Sequence, residues 1–194
     1  MNFLAHIYLS GDDPLLKIGN FMADGIRGKQ LDHFPEGIRK GVVLHRAIDT
    51  FTDAHPIFRT STKRLHPFYH HHSGIIVDVF YDHFLAKNWN QYKKEPLEEF
   101  SLDFYNSLEN NYSWLTDKTK NMLPYIKKYN WLLNYQHVDE IARILSQMDK
   151  RMSHPSKMGE SVKELKAFYV EFENEFIAFF EEVQQFCTNK LTTL

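Results

Sequence analysis

Between Ile75 and Trp89 the chain is strongly apolar, yet it carries Asp78 and Asp82. A run this apolar has to lie in a core, where a carboxylate is costly unless a cation or hydrogen bonds compensate it. On a helix, residues four apart share a face with Cβ atoms ~5–6 Å apart, so the two carboxylates repel each other along one buried stripe. A divalent cation would turn that repulsion into binding. His45, Asp49 and Asp53 repeat the pattern at i, i+4 and i+8 in a second helical stretch.

The rest of the chain reads as helix as well. Glycine and proline are sparse, 8 and 7 in 194 residues, and no alternating apolar run is long enough to require a strand. Asp13 and Pro14 form a helix start for residues 14–23. A helix over 36–53 stops near His55, because Pro56 disfavours helical geometry in the residue before it. A short helix to Leu65, the apolar stretch 75–89, and helices over 97–112, 117–133 (with Pro124 as a kink or boundary) and 138–152 follow. Leu165, Tyr169, Phe172, Phe176, Phe179, Val183 and Phe186 alternate spacings of four and three, which predicts one long amphipathic C-terminal helix. That seam packs on the body of its own domain or, alternatively, joins two chains as a dimer. Ser153 to Gly159 is the clearest loop, and it does not divide the chain. The expectation is an all-α protein, one compact helical domain over 1–194.

Composition excludes several classes. A net charge of −2 argues against a nucleic-acid coat. No stretch approaches ~18 consecutive apolar residues, so no membrane span is expected. Residues 1–10 do not read as a signal peptide. The single Cys187 cannot form an internal disulfide, which suits a reducing, cytoplasmic location. Charge is uneven, however. Residues 160–194 hold seven Glu against three Lys, whereas residues 1–70 are slightly basic. A metal on Asp24, Asp49 and Asp53 would leave that first third presenting a basic surface through Lys29, Arg39, Lys40, Arg59, Lys63 and Arg64.

Imidazole and carboxylate donors without thiolate suit manganese, iron or zinc with water-filled positions, not a closed structural zinc site. The chemistry such a site supplies is activation of water and neutralisation of phosphoryl oxygens. Arg46 and Arg27 are the candidates to hold those oxygens with fork geometry. The run His70, His71 and His72 looks like a metal tract but is expected to be solvated in a loop.

Asn-Phe-Leu-Ala-His at 2–6, Gly-Asn-x-x-Ala-Asp at 19–24 with Arg27-Gly28, His-Arg-x-Ile-Asp at 45–49 with Thr52-Asp53, and Asp-x-x-x-Asp-His-Phe-Leu at 78–85 with Trp89 together resemble the bacterial acyl carrier protein phosphodiesterases. A weaker likeness continues through Trp131-Leu132 and from Met148 to Arg151. The resemblance implies a helical fold related to the His-Asp metal-dependent phosphohydrolases. It also implies removal of the 4′-phosphopantetheine arm from holo acyl carrier protein, an acidic partner, with manganese favoured; magnesium, iron and zinc are the other candidate ions. Residue pattern and resemblance together draw the metal ligands from Asp24, His45, Asp49, Asp78, Asp82 and His83. Arg46 and Arg27 are the phosphate residues and His6 the proton donor to the departing serine oxygen. Two other readings stand beside this one: a phosphohydrolase of a nucleotide or other small phosphoester, and a non-catalytic helical module that uses its aromatic seam for a partner.

Overall fold

The first helix forms where local sequence gives least reason for one. Helix α1 (Phe3–Tyr8) has only six residues, too few to be stable alone. Its start is held from outside. The Asp82 carboxylate accepts hydrogen bonds from the backbone amides of Leu4 (2.7 Å), Asn2 (3.2 Å) and Ala5 (3.3 Å), and the Asn2 side chain accepts from the Phe3 amide. These are the amides that a helix start leaves without partners.

The computed structural model describes residues 1–28, 31–150 and 156–194. Lys29, Arg151 and part of the Ser153–Gly159 loop, as well as the end of the 138–152 helix, lie outside the described residues. Among the described residues no strand occurs, and the chain is all-α. After α1 come α2 (Pro14–Met22), α3 (Glu36–Ala54), α4 (Pro56–Tyr69), α5 (Ser73–Lys87), α6 (Trp89–Tyr92), α7 (Leu97–Asn110), α8 (Asp117–Lys128), α9 (Trp131–Asn134), α10 (Val138–Asp149), α11 (Val162–Ala167) and α12 (Tyr169–Leu191). A short 3₁₀ turn, Ala23–Gly25, extends α2. No helix among the described residues is long and apolar enough to cross a membrane.

Several starts and stops follow the sequence. Asp13 caps α2 by accepting from the Leu15 (2.8 Å) and Leu16 (3.3 Å) amides. Helix α3 ends at His55, and Pro56 opens α4. Other boundaries differ from expectation. Helix α4 runs past Leu65 to Tyr69, with Pro67 inside it; buried Tyr69 anchors the extra turn through its hydroxyl, which donates to Glu164 at 2.7 Å. The 117–133 stretch is two helices broken at Tyr129 and Asn130, not at Pro124, and Asn130 takes a left-handed conformation with φ of 40°. The C-terminal seam is interrupted at Phe168 between α11 and α12.

Helix α5 is the central element. Ile76, Val77, Val79, Phe80, Phe84 and Leu85 are all fully buried. Helix α12 lies across α3, α4 and α5, and its Phe172, Phe176, Phe179 and Val183 are buried in the same core. The aromatic seam is therefore occupied within this chain.

Helices α2 and α3 cross unusually closely. A Cβ added to Gly19 would stand 2.1 Å from the Ile38 carbonyl oxygen, and one added to Gly41 would stand 2.2 Å from the Leu16 carbonyl oxygen. Both obstacles are backbone, which cannot rotate aside. Gly19→Ala and Gly41→Ala are each expected to lower unfolding free energy by about 3 kcal/mol, at the upper end of overpacking costs. Denaturant unfolding of the two variants checks this, and wild-type midpoints would show the crossing to be loose.

Candidate metal centre

The close crossing delivers Asn20, on α2, to a position between two imidazoles. Its Oδ1 lies 2.8 Å from His6 Nδ1 and 3.1 Å from His45 Nδ1. Its amide nitrogen donates to the His6 carbonyl (2.9 Å) and to Ser10 Oγ (2.8 Å), which fixes the oxygen toward the rings. An oxygen can only accept, so both Nδ1 atoms carry protons. The neutral form of each ring then presents a bare Nε2 lone pair. The rings stack with centroids 4.1 Å apart.

Both Nε2 atoms face carboxylates. His45 Nε2 is 3.1 Å from Asp24 Oδ1 and 3.1 Å from Asp49 Oδ2. His6 Nε2 is 3.3 Å from Asp49 Oδ1, yet it makes no hydrogen bond and is buried. His6, His45 and Asp49 each offer a ligand atom within 4.8 Å of the others. A lone pair facing a carboxylate lone pair is repulsive unless a proton or a metal ion lies between them. The arrangement fits a divalent cation, and the orphaned His6 nitrogen is the observation that tests the fit. Asn20 fixes tautomer and ring orientation, the usual task of the residues behind metal ligands.

The charges respond accordingly. Burial pushes the His6 imidazole down to about 4 despite the neighbouring Asp49. Burial also acts to lower His45, but the bonds to Asp24 and Asp49 outweigh it and lift the imidazole to about 9. Burial would raise Asp49, yet the two imidazoles hold it far below the usual carboxylate range. The hydrogen bond with His45 holds Asp24 down.

These groups line a cavity of about 360 Å³. Four carboxylates, Asp24, Asp49, Asp53 and Asp78, face it with His6 and His45. Asp78 pairs with the Met1 ammonium group. Of the residues expected at the metal, the structure therefore brings Asp24, His45, Asp49 and Asp78 to one cavity and adds His6, expected as the proton donor. It does not bring Asp82 or His83 there. Asp82 is fully buried and committed to the amides of α1, and burial pushes its carboxyl up to about 7. His83 lies on another face of α5, with Nδ1 donating to the Tyr135 carbonyl at 2.8 Å and Nε2 accepting from the Tyr169 hydroxyl at 2.7 Å. Arg46 donates to the Gly28 (2.8 Å) and Ile26 (3.3 Å) carbonyls and so braces the segment after Asp24. Arg27 is exposed and does not line the cavity. Of the three tandem histidines, His70 and His71 are exposed and His72 half-buried.

With this geometry in hand, the relatives are informative. A family profile described as acyl carrier protein phosphodiesterase matches residues 1–183. The chain belongs to that family. An acyl carrier protein phosphodiesterase from Klebsiella pneumoniae is 31% identical over 98% of this chain and 99% of its own length. One from Pectobacterium atrosepticum is 30% identical over 95% and 96%, and one from Escherichia coli is 31% identical over 98% and 99%. No solved structure matches the chain. Asn20 is the residue that sequence reasoning missed. It stood in the Gly-Asn-x-x-Ala-Asp motif, four residues before Asp24, and that spacing was the available signal.

Two outcomes test this geometry. Asn20→Ala frees both rings, and metal affinity should fall by about 10–100-fold, the cost of losing such a supporting residue; calorimetric titration with manganese measures it. In chelator, His45 binds its proton more tightly folded than unfolded. Its stabilising contribution is full below about 6.5 and is lost as pH rises through about 9. Thermal melts of the metal-free protein should fall over that window, and His45→Gln should flatten the slope.

Proposed function

We propose that this protein is a metal-dependent phosphodiester hydrolase that removes the 4′-phosphopantetheine arm from holo acyl carrier protein. Family membership supports the reaction class and the substrate. The observation that carries metal dependence is the convergence of His6 Nε2, His45 Nε2 and Asp49 within 4.8 Å inside a carboxylate-lined cavity. An anionic phosphodiester would be repelled from Asp24, Asp49, Asp53 and Asp78 if nothing neutralised them.

His6, His45 and Asp49 would hold the ion, with Asp24 as the next candidate and Asp78, paired with Met1, lining the same cavity. This makes His6 a ligand and not the proton donor, since burial keeps it neutral and Asn20 aims its lone pair into the cavity. With nitrogen and oxygen donors and no thiolate, manganese, magnesium, iron and zinc are all compatible, and manganese is the first to try. When bound, the ion supplies an activated water and screens the phosphoryl oxygens. The protein's own part is to orient: Asn20 sets the rings, and Arg46 braces the segment after Asp24.

Docking of an acidic carrier protein by the basic first third is also proposed, in modified form. Arg39, Lys40 and Arg64 each have an acidic neighbour, Asp32, Glu36 and Glu175, which reduces their surplus charge. Lys118, beside the cavity, is a further cation at which a phosphorylated partner could be steered, whereas Arg143 is paired with Glu140.

Incubating the manganese-loaded protein with holo carrier protein and reading the carrier's mass tests the reading. Loss of the arm is expected, with chelator abolishing it. Asp49→Asn should lose most of the rate and most of the bound metal together. Full activity after exhaustive metal removal would sink the metal assignment, and an unchanged carrier mass would sink the substrate.

A further inference from the structure

The cavity at the metal cluster adjoins a second hollow of about 230 Å³, and that adjoins a third of about 410 Å³. Asn2, Phe3, Asp24 and Met148 belong to both the first and the second. Met122, Trp131, Arg143 and Gln147 belong to both the second and the third. Sharing these walls, the three hollows lie in a row as a trough-like depression. It starts at the buried imidazoles, runs between α8, α9 and α10, and opens beside Tyr125 and Tyr129, which are 58% and 43% exposed.

The walls change character along its length. The inner end is acidic and fits a metal ion. At the junction stands Lys118, whose charge acts on Asp24. The middle is apolar, with Met122, Trp131 and Ile144, and amide side chains from Asn134 and Gln147 are set among them. The outer end combines Tyr125 and Tyr129 with polar Asn121 and with Arg143, whose guanidinium lies over the Tyr129 ring. A compact ligand such as a nucleotide phosphate would leave most of this trough empty. A long, narrow ligand with phosphate at one end, a branched hydrocarbon section and amides along its length matches each part in order.

We propose that this trough is the subsite for the pantetheine arm, with the phosphate at the cluster and the thiol end toward Tyr125 and Tyr129. Lys118 meets the phosphate end, the aliphatic part of the arm lies on Met122, Trp131 and Ile144, and Asn134 and Gln147 pair with its amides. The proposal rests on the phosphodiesterase reading of the cluster and adds to it the determinant of the leaving arm. Apolar contact plus satisfied amides discriminates against diesters that lack the arm, since those leave the polar wall groups unpaired.

Gln147 is exposed on α10, so Gln147→Trp narrows the trough without touching the core or the cluster. Steady-state kinetics of the manganese-loaded wild type and variant should be compared on holo carrier protein and on bis(p-nitrophenyl) phosphate, with manganese content measured in both. The variant should raise KM for holo carrier protein by about tenfold, while metal content and the rate on the small diester stay within about twofold of wild type. Free 4′-phosphopantetheine should inhibit the wild type competitively, and the variant should lose most of that inhibition. An unchanged KM for the carrier protein, or an equal loss on both substrates, overturns the trough assignment while the phosphodiesterase reading stands. A wild type that cleaves the small diester but never the carrier protein overturns both the trough assignment and the carrier-protein substrate, and leaves the cluster a phosphodiesterase. Ile144→Ala gives a second measure, because it widens the apolar section; it should weaken inhibition by free phosphopantetheine, and unaltered inhibition counts against the subsite.

Discussion

The site depends on how closely α2 and α3 approach. Gly19 and Gly41 let backbone meet backbone where a Cβ would collide with a carbonyl. Only at that separation can Asn20 on α2 reach His45 on α3 while still holding His6 on α1. Three helices are thereby tied to one amide group, whose oxygen accepts from both rings. The amide nitrogen is used as well, on His6 and Ser10, so Asn20 cannot turn over without breaking four contacts. A rigid ligand pair follows from this, and rigidity is what a metal site needs.

A second constraint places the third helix. The Asp82 carboxylate is buried in α5 but is compensated by backbone amides instead of by a metal. Burial and amide donors act on it in opposite directions, and burial prevails. The outcome is a helix start held by a partner nearly eighty residues away, which is why α1 forms and why His6 faces Asn20. Asp78, one turn earlier, faces the cavity instead. Two carboxylates on one stripe thus serve different ends because their partners differ.

The cluster's electrostatics suggest how protein and ion share the same place. Where no ion is bound, a proton on His45 satisfies Asp24 and Asp49, and its affinity is raised for that reason. His6 stays neutral chiefly because it is buried, and a second positive ring stacked 4.1 Å away would also be repelled. A divalent ion bound there would have to displace that proton, a competition of about a hundredfold at pH 7. On the proposed reading, the acidic lining would admit a cation first and a phosphodiester after it, and the hollows beside the cluster would add contact for the rest of the ligand.

Much of this architecture was legible in local pattern. The all-α fold, the Asp13 cap, the stop at His55-Pro56 and the stripe of His45 and Asp49 all depend on residues within a few positions of one another. The family motifs pointed to the phosphodiesterases for the same reason, as short local strings in a fixed order. What tertiary structure alone decided is where each polar group turns. Periodicity shows that Asp78 and Asp82 share a face, but not that α1 covers one and the cavity receives the other. Adjacent His83 was drawn into the ligand set by the motif, yet a helix turns ~100° per residue and carries it to Tyr135 and Tyr169. Asn20 stood in the Gly-Asn-x-x-Ala-Asp motif without a role until the glycine crossing set it between two imidazoles. Sequence spacing determines which residues lie on one helix face; the burial and compensation of a charge depend on the neighbouring helix, and only the folded chain supplies that neighbour.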